Sequence, residues 1–589
     1  MSKLRYVQLM FRYIALLVFK RKTMGGYCEA GARKWGDRVF IRFEDDAVTF
    51  REFNERANRR AHVLAAEGIS RGDVLVLMME NRPEYLETVA AAGKLGAIVS
   101  NINTNLRGRP LVHSVELSSA KLAIVGAECT EAFARANELQ TMFPADRILV
   151  DTRWADEASA PSGWRAIEPL LTAASTASPP DLGLRSNDML FYIFTSGTTG
   201  LPKAAKINHL RFASAGLGMG WYGLRIAPGD TIYCALPLYH SNGLLLAFGS
   251  ALSNGGTIAL ARRFSVRRFW EDCHKFEATA FVYIGEVLRY LVNAPPAPTD
   301  RTHRVTRCLG NGLRPDIWET FCTRFGISHV HEFYAATEGN AFTLNLDDTP
   351  GSVGRILLKS SNNLVIVRYD VEREEILRDE NGLAIACKPG ESGELLGKIK
   401  LTTPFLGYSD DRESKKKLTT DVLEKGDQYF RTGDLLKSDA LGNFYFVDRI
   451  GDTYRWKGEN VSTNEVGEVL SAFPGMRLAN VYGVQVPKAD GRAGMAALLL
   501  DDAAAFDRDA FYEFVDAKLP AYARPAFVRV RNEMEVTGTF KYVKSQLKHQ
   551  GFDPALVEDP LFVRNDATRT YEPMTPGRFA AVREGQMRL

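Results

Sequence analysis

Residues 192–203 read Tyr-Ile-Phe-Thr-Ser-Gly-Thr-Thr-Gly-Leu-Pro-Lys, and this stretch decides the fold. The apolar residues Met189 to Phe194 predict a strand that leads into it. Its glycines allow a tight bend and bring backbone amides close to an anion. The residues that suit a bound triphosphate are Thr195, Ser196, Gly197, Thr198, Thr199, Gly200 and Lys203. The spacing differs from that of the GxxxxGK[ST] loop, and a plain polar turn after a strand is the remaining alternative.

Helix and strand patterns alternate on both sides of this stretch. Phe53 to Glu67 predicts a helix, Asp73 to Met79 a buried strand and Glu84 to Leu95 a second helix. Ala120 to Val125 repeats the strand pattern. Such alternation is typical of parallel sheets with crossover helices. Residues 153–180, rich in Ala, Ser and Pro, predict a surface loop or linker.

A second informative block, Glu332-Phe-Tyr-Ala-Ala-Thr-Glu-Gly339, ends an aromatic-rich strand. A carboxylate at such a position can hold Mg²⁺ against phosphate groups, because this metal prefers hard oxygen ligands. A glutamate that merely caps the strand end is the structural alternative. The position of Glu338 after the phosphate-loop pattern favours the metal ligand.

Together these blocks resemble the adenylate-forming (AMP-binding) superfamily. Trp456-Lys-Gly-Glu-Asn-Val461 further resembles its fatty acid transport protein and very-long-chain acyl-CoA synthetase branch. The resemblance implies that Glu338 binds Mg²⁺, that Thr337 contacts a nucleotide phosphate and that Tyr334 packs on adenine. Ala335 departs from the glycine that is usual in this block.

Further residues take their roles from the same resemblance. Asp434, in Thr432-Gly-Asp, and Arg449 would contact the ribose. Gly451 would be the pivot of the C-terminal domain, and Arg455 and Lys457 would face the thiol substrate. The alternative for Asp434 is an ordinary turn aspartate. Residues 456–464 would otherwise be a hairpin followed by a helix that begins near Ser462 or Asn464.

The block Val536-Thr-Gly-Thr-Phe-Lys541 resembles the C-terminal catalytic loop of the superfamily. Lys541 would reach the carboxylate and the α-phosphate, with Lys544 as the fallback. His240, in Leu236-Pro-Leu-Tyr-His, resembles a residue that borders the acyl and pantetheine channels, although a lone histidine is as often structural. Asn311 and Gly312 resemble the loop beneath adenine. The residues expected to be catalytic are Lys541, Glu338 and Thr195.

The resemblance and the patterns together predict an α/β fold. A large N-terminal domain, 27–449, would contain two α/β subdomains and a β-rich subdomain from about 351 to 448. It would be hinged to a smaller α+β C-terminal domain, 450–589, and preceded by a basic, partly apolar segment, 1–26.

The N-terminal segment carries an uneven charge. Residues 1–22 hold six basic side chains and no acidic one, whereas the whole chain has a net charge of +3. On a helix from Leu4 to Phe19, Arg5, Gln8 and Arg12 would share a face that we expect to meet anionic lipid. One alternative is a transmembrane span, disfavoured because the apolar run Tyr13 to Phe19 is short. The others are a signal peptide, disfavoured by Lys20-Arg21-Lys22, and a helix packed on the protein. The small total charge argues against nucleic-acid binding.

Seven scattered cysteines without a CxxC pair indicate a reduced, cytoplasmic protein, here expected at the inner face of a membrane. The resemblance implies a long- or very-long-chain fatty acid–CoA ligase that uses ATP, Mg²⁺ and coenzyme A and releases AMP and pyrophosphate. Conversion of the fatty acid to its CoA thioester could be coupled to fatty acid uptake. A homodimer is a further possibility. Three alternatives remain: a bile, aryl or other lipid acid as substrate, a carrier-protein thiol or an amine as acceptor, or a membrane fatty-acid transporter with minor catalysis.

Overall fold

The computed structural model describes residues 3–154, 160–196, 201–356, 362–457, 459–487, 489, 491–534, 544–587 and 589. The chain divides into two compact units. The first unit comprises Met1–Pro350 and Lys400–Lys417, and the second unit comprises Gly351–Ile399 and Leu418–Leu589.

The first unit contains two mainly parallel sheets. Its strands are β1 (Val39–Phe43), β2 (Asp46–Thr49), β3 (Val74–Met78), β4 (Ile98–Asn101), β5 (Leu122–Gly126), β6 (Ile148–Asp151), β7 (Arg165–Ala166), β8 (Met189–Ser196), β9 (Pro202–Asn208), β10 (Thr231–Cys234), β11 (Thr257–Leu260), β12 (Ala280–Ile284), β13 (Arg307–Asn311), β14 (His329–Ala335) and β15 (Phe342–Asn345). One sheet has seven strands in the order β7-β6-β5-β3-β4-β8-β9, and only β8–β9 is antiparallel. The other follows β15-β14-β13-β12-β10-β11-β1-β2, with antiparallel pairs only at its ends.

Helices accompany these sheets. They are α1 (Lys3–Phe19), α2 (Met24–Trp35), α3 (Phe50–Ala66), α4 (Pro83–Leu95), α5 (Gly108–Ser118), α6 (Thr130–Ala134), α7 (Asn137–Met142), α8 (Glu168–Ala173), α9 (His209–Ala215), α10 (Gly249–Asn254), α11 (Val266–Lys275), α12 (Gly285–Asn293), α13 (Pro315–Phe325) and α14 (Asp411–Lys415). Gly216–Leu224 and Asn242–Phe248 are π-helical. Local chemistry sets several ends: Thr49 and Glu52 form a capping box that begins α3, and α4 ends where Gly96 takes φ +68°.

The second unit begins with a mainly antiparallel group of strands. These are β16 (Ser352–Arg355), β17 (Leu364–Val367), β18 (Tyr369–Asp370), β19 (Glu375–Ile376), β20 (Gly393–Lys398), β21 (Leu418–Thr420), β22 (Gln428–Ser438) and β23 (Asn443–Arg449). Their main pairing order is β17-β20-β22-β23-β16, with β21 on β22. The strands agree with the β-rich character predicted for 351–448.

The rest of the second unit mixes strands and helices. It contains the hairpin β24 (Tyr454–Trp456) and β25 (Glu459–Val461), then β26 (Met476–Gln485), β27 (Arg492–Leu500), β28 (Phe527–Arg531), β29 (Leu561–Asn565) and β30 (Thr570–Pro573). The last five form one sheet in chain order. Its helices are α15 (Thr463–Ser471), α16 (Arg508–Lys518), α17 (Ser545–Gln550) and α18 (Pro576–Arg583).

Most predicted elements are present near the expected bounds. The predictions for α3, α4, β3 and β5 are confirmed, and the Ser462 hydroxyl caps α15 by accepting a bond from the Glu465 amide. The prediction of a plain loop over 153–180 was incomplete, because that region contains β7 and α8. Strand β7 is formed by pairing with Leu149 and Val150 of β6, a contact between residues 16 positions apart that its own composition does not indicate.

Helix α1 contacts the first unit through the face that carries its arginines. Both guanidinium groups lie over the Trp221 ring, at 4.9 Å for Arg5 and 4.3 Å for Arg12, and Arg5 also donates to the Trp221 carbonyl. The Tyr13 hydroxyl donates to the Thr402 carbonyl at 3.1 Å. These arginines therefore contact the protein, which differs from the expectation that they meet lipid. No helix within the described residues has the length and apolar character to cross a bilayer.

Candidate functional site

The β8–β9 hairpin places the two ends of the phosphate-loop pattern side by side. Thr195 lies opposite Lys203 in the antiparallel register, and Ser196 lies opposite Pro202. Buried apolar residues of β8, among them Phe191 and Ile193, fix this hairpin in the sheet. The predicted residues Gly197, Thr198, Thr199 and Gly200 lie outside the described residues, as does the side chain of Ser196.

Lys203 is paired with a carboxylate of helix α14. Its ammonium nitrogen lies 2.5 Å from Glu413 Oε2 and 5.9 Å from the centre of the Tyr408 ring. Glu413 also accepts from Lys416 at 2.6 Å. Lys203 and then Lys416 lower the pKa of the Glu413 carboxyl through these bonds. The acid therefore stays ionised between two cations.

Tyr408 connects the hairpin to Glu338. Its hydroxyl donates to Glu338 Oε1 at 2.6 Å, and the Thr195 side chain also hydrogen-bonds this hydroxyl. Burial first, and then the Glu338 carboxylate, raise the pKa of Tyr408. Glu338 is itself only 8% exposed. The structure thus brings together three residues: two predicted from the sequence, Thr195 and Glu338, and the unpredicted Tyr408.

Arg211 of α9 fixes the backbone on both sides of Glu338. Its guanidinium donates to the carbonyls of Thr337 and Gly339. Burial lowers the pKa of Arg211, and the Glu338 carboxylate acts in the opposite direction. Sequence reasoning missed this arginine, because an arginine in a helix carries no motif and its partners lie 126 and 128 residues away.

Asn311 and Gly312 form a turn at the end of β13. The Glu332 carboxylate stabilises this turn by hydrogen bonds from its backbone amides. Glu332 Oε2 accepts from the Gly312 amide at 2.9 Å, and Oε1 accepts from the Leu313 amide at 3.0 Å and the Tyr283 hydroxyl at 2.5 Å. Burial raises the pKa of Glu332 to about 7. Gly312 has φ +88°, a conformation that favours glycine.

Three more predicted residues are Thr337, Tyr334 and His240. The Thr337 hydroxyl lies 3.3 Å from Ser241 Oγ, and the Asn242 amide donates to Asn311 Oδ1 at 3.1 Å. Tyr334 is a buried residue of β14. His240 precedes Ser241 and packs against the Tyr239 ring at 4.5 Å between centroids. Ser241 and Asn242, which the sequence did not single out, therefore connect the His240 region to the predicted nucleotide residues.

In the second unit, the predicted ribose residues are neighbours. Asp434 of β22 lies opposite Arg449 of β23, and its Oδ1 is 4.0 Å from Arg449 Nε. The Asp434 amide donates to Thr432 Oγ1 at 3.1 Å, which shapes the Thr-Gly-Asp turn. Both side chains are suitable for hydrogen bonds to ribose hydroxyls.

The residues predicted for the pivot and thiol substrate also lie in the second unit. Arg455 forms an ion pair with Glu372, and the Lys457 ammonium lies 5.8 Å from the centre of the Trp456 ring. Gly451 leaves open space where a Cβ would stand. Lys541 lies outside the described residues. The fallback, Lys544, donates to Thr463 Oγ1 at 2.9 Å.

The described residues contain no group of three or more His, Cys, Asp or Glu side chains that could hold a metal alone. Mg²⁺ commonly takes one or two carboxylates together with substrate phosphates and water. Glu338 fits that donor set, because it offers one buried carboxylate beside the hairpin.

Comparisons with known sequences identify the family of the chain. The profile of a family described as AMP-binding enzyme matches residues 28–408. The medium/long-chain-fatty-acid–CoA ligase FadD6 of Mycobacterium tuberculosis is 41% identical over 554 residues, covering 94% of this chain and 90% of that protein. Long-chain fatty acid transport protein 2 of Rattus norvegicus is 39% identical over 582 residues, covering 95% and 90%.

Solved structures share the fold. The anthranilate CoA ligase AuaEII, in complex with anthranoyl-AMP, superimposes with a TM-score of 0.76 at 19% identity, covering 90% of this chain and 96% of that one. A fatty acyl CoA synthetase of Mycobacterium tuberculosis gives 0.61 at 22% identity, covering 90% and 98%. At these identities the likeness establishes the fold alone, and it confirms the predicted adenylate-forming architecture.

Proposed function

This chain belongs to the family of AMP-binding enzymes, and on that premise we propose that it is an ATP-dependent fatty acid–CoA ligase. The fatty acid carboxylate attacks the α-phosphate of ATP, which releases pyrophosphate and forms an acyl-adenylate. The thiol of coenzyme A then attacks the acyl carbon and AMP leaves. The main observation behind this proposal is the cluster of Thr195, Tyr408 and Glu338 beside Lys203. The similarity to a fatty-acid–CoA ligase supports a fatty acid as the substrate.

Lys203 is proposed to bind the phosphates by exchanging partners. A triphosphate brings more negative charge than the single carboxylate of Glu413, so it competes for the ammonium group. Glu413 keeps Lys416 as a partner when Lys203 turns away, which limits the cost of this exchange. The Thr195 hydroxyl would add a donor at the same end of the hairpin.

Glu338 is proposed to hold Mg²⁺, with Arg211 fixing its backbone. When bound, the metal neutralises negative charge on phosphate oxygens. Arg211 holds the carbonyls on either side of Glu338, so the backbone keeps the Glu338 carboxylate in one position for the metal. Positioning of this kind suits phosphoryl chemistry, in which binding and orientation supply most of the catalysis.

The nucleotide base and sugar are assigned to the remaining predicted residues. Asn311 and Gly312 would contact adenine on a turn held by Glu332, with Tyr334 packed on the ring. Asp434 and Arg449 would bind the ribose hydroxyls.

Lys541 is our choice for the lysine that meets the carboxylate and the α-phosphate. The bond from Lys544 to Thr463 supports this choice, because Lys544 already has a partner inside the second unit. Gly451 is proposed as the pivot for the second half-reaction, with Arg455, Lys457 and His240 contacting coenzyme A or its channel.

We also infer that α1 binds a membrane surface, with the chain at its cytoplasmic face. Its outward residues form an apolar stripe at helical spacing, with exposed fractions of 45% to 70%: Val7, Phe11, Ile14 and Val18. Lys20, Arg21 and Lys22 are exposed at its end and would meet anionic headgroups. An enzyme held at a membrane could convert fatty acids to CoA thioesters as they enter, so membrane binding favours coupling to fatty acid uptake. The rat relative is named as a long-chain fatty acid transport protein.

The deciding experiment measures CoA-thioester formation with ATP, Mg²⁺ and free fatty acids from short to very long chains, with bile and aryl acids alongside. We expect a maximum among medium to long fatty acids, with AMP released. A maximal rate with a bile or aryl acid would contradict the proposal that the substrate is a fatty acid. AMP release without a CoA thioester would show that another acceptor is used, and release of ADP would overturn the mechanism.

A further inference from the structure

The Tyr408 hydroxyl links two residues of the proposed nucleotide site. It donates to Glu338 Oε1 at 2.6 Å, and the Thr195 side chain hydrogen-bonds the same hydroxyl. Tyr408 and Glu338 are both buried, at 4% and 8% exposed. Thr195 belongs to the hairpin that is proposed to bind the phosphates, whereas Glu338 is proposed to hold Mg²⁺. One hydroxyl group therefore connects the phosphate side of the site with its metal side.

The backbone on both sides of Tyr408 bonds to strand β9. The Gly407 carbonyl accepts from the Lys206 amide at 3.0 Å. The Ser409 amide donates to the Ala204 carbonyl at 2.8 Å. These bonds hold the tyrosine antiparallel to the strand that follows the phosphate-loop pattern. The ring therefore has a fixed position from which its hydroxyl reaches the carboxylate.

A second contact joins the segment that carries Tyr408 to the block that carries Glu338. The Asn340 side-chain amide, two residues after Glu338, donates to the Thr403 carbonyl at 2.9 Å. Thr403 precedes Tyr408 by five residues, so the segment meets the block at two separate points. Removing the Tyr408 hydroxyl should therefore delete one contact and leave the segment in place.

The partner of Glu338 is a neutral group. Among the residues that the structure describes, no donor other than Tyr408 hydrogen-bonds the Glu338 carboxylate, and no cation forms an ion pair with it. Arg211 donates instead to the carbonyls of Thr337 and Gly339. A hydroxyl that donates to a carboxylate at 2.6 Å forms a strong, charge-assisted bond. It orients the acid without neutralising it, so the negative charge is kept for a cation.

We propose that Tyr408 is a positioning residue for the metal, an inference that rests on the proposed function. Its hydroxyl orients Glu338 so that Oε2 is left for Mg²⁺, and its bond with Thr195 couples metal binding to phosphate binding. This role requires a protonated hydroxyl, and burial, followed by the Glu338 carboxylate, raises the pKa of Tyr408. Removing a group that hydrogen-bonds a metal ligand lowers metal affinity about 10- to 100-fold.

The test measures binding of an ATP analogue with a methylene group between its α- and β-phosphates, by calorimetry, in excess Mg²⁺ and in EDTA. The ratio of the two affinities is the magnesium effect. In Tyr408→Phe we expect the magnesium effect to fall about tenfold, while the affinity in EDTA stays within about twofold of wild type. Damage to the fold would weaken binding in both conditions. A magnesium effect within about twofold of wild type would overturn the proposal.

Glu338→Gln separates this inference from the proposed function. Its magnesium effect should be small, and adding Tyr408→Phe should not reduce it further, because the tyrosine acts through Glu338. A small effect in Glu338→Gln together with a normal effect in Tyr408→Phe would refute the inference alone. A normal effect in Glu338→Gln, or none in wild type, would show that the proposed metal ligand is wrong, and the inference would fail with it.

The matched control is Tyr512→Phe. The Tyr512 hydroxyl donates to Asp566 Oδ1 at 3.0 Å, so this variant also removes a bond from a tyrosine to a carboxylate, here in the second unit. The proposed function does not use this pair. Tyr512→Phe should therefore keep the magnesium effect of wild type, and an equal fall in both tyrosine variants would overturn the specific role of Tyr408.

Discussion

Replacing Glu338 with glutamine removes one buried negative charge and keeps the size of the side chain. The Tyr408 hydroxyl can still donate to the amide oxygen, so the local structure should persist. Because the charge is proposed to hold Mg²⁺ beside the phosphates, we expect acyl-adenylate formation to fall about 100-fold or more. The measurement is ATP–pyrophosphate exchange over a range of Mg²⁺ concentrations.

Glu319→Gln is the matched control, since Glu319 is an exposed residue of α13. It should retain wild-type exchange. Wild-type rates in Glu338→Gln, at every Mg²⁺ concentration, would exclude Glu338 as the metal ligand.

Glu332 gives a pH-dependent prediction for stability. Its pKa is raised by burial from 4.5 to about 7, so the fold favours the protonated acid. A raised pKa contributes stability that is complete below about pH 4.5 and lost as the pH rises through about 7. Relative to Glu332→Gln, wild type should therefore lose about 2 to 3 kcal/mol of unfolding free energy between about pH 5 and 8.

Urea unfolding of both proteins, followed by tryptophan fluorescence, measures this difference. If the free-energy difference between them stays constant across that pH range, the pKa of Glu332 is not raised and the prediction is wrong. If the Gly312 and Leu313 amides and Tyr283 favoured the ionised acid more than burial opposes it, the difference would be flat above about pH 5 and wild type would lose stability only at lower pH.

At the scale of single residues, motifs predicted the reactive groups but not their partners. Thr195 and Glu338 belong to strings that carry their chemistry in the sequence itself. Tyr408 and Arg211 meet Glu338 and its flanking carbonyls only because the chain folds back over long separations. No spacing rule connects such residues, so their roles required the structure.

At the scale of elements, α1 allows a direct test of membrane binding. Phe11 and Val18 are 70% and 66% exposed, and burying such side chains in lipid stabilises binding by about 1.5 to 3 kcal/mol each. The double change Phe11→Gln with Val18→Gln should lower sedimentation with anionic vesicles at least about tenfold. Thioester formation from a soluble short acid should be unchanged.

The control for α1 is Leu441→Gln, which removes an exposed leucine of the second unit that is 76% accessible. It should sediment with vesicles as wild type does. Equal sedimentation of the α1 variant and wild type would show that the stripe does not bind lipid. A parallel loss in the Leu441 variant would indicate that apolar adhesion is nonspecific.

Element prediction succeeded where the chemistry is local and failed where it is distant. The Ser462 cap of α15, at the helix start that the sequence predicts, is fixed by residues three positions apart. The start of α3 lies three residues before the predicted Phe53, where Thr49 and Glu52 form a capping box. The outward face of α1 was predicted less well, because the Arg5 and Arg12 side chains are drawn to Trp221, far along the chain. A helix can be predicted from its own residues, but its orientation depends on what it packs against.

At the scale of the whole molecule, family motifs predicted the fold class and the presence of a separate C-terminal region. The order of the blocks from Thr195 to Asp434 is fixed by the sequence, and the comparisons confirm the shared architecture. How a pivot at Gly451 would alternate between two reactions is a property of motion, which neither the sequence nor one conformation contains.

Gly451→Pro tests that motion. Proline fixes φ near −65°, so it restricts rotation at this residue. A restricted pivot should spare acyl-adenylate formation and slow thioester formation by about tenfold or more, because only the second step requires the domain to turn. Single-turnover assays of each half-reaction provide the measurement. Gly451→Ala is the matched control: a Cβ at this position meets no atom within 4 Å, so both half-reactions should stay near wild type. Equal loss of both half-reactions in the proline variant, with the alanine variant intact, would place the pivot elsewhere.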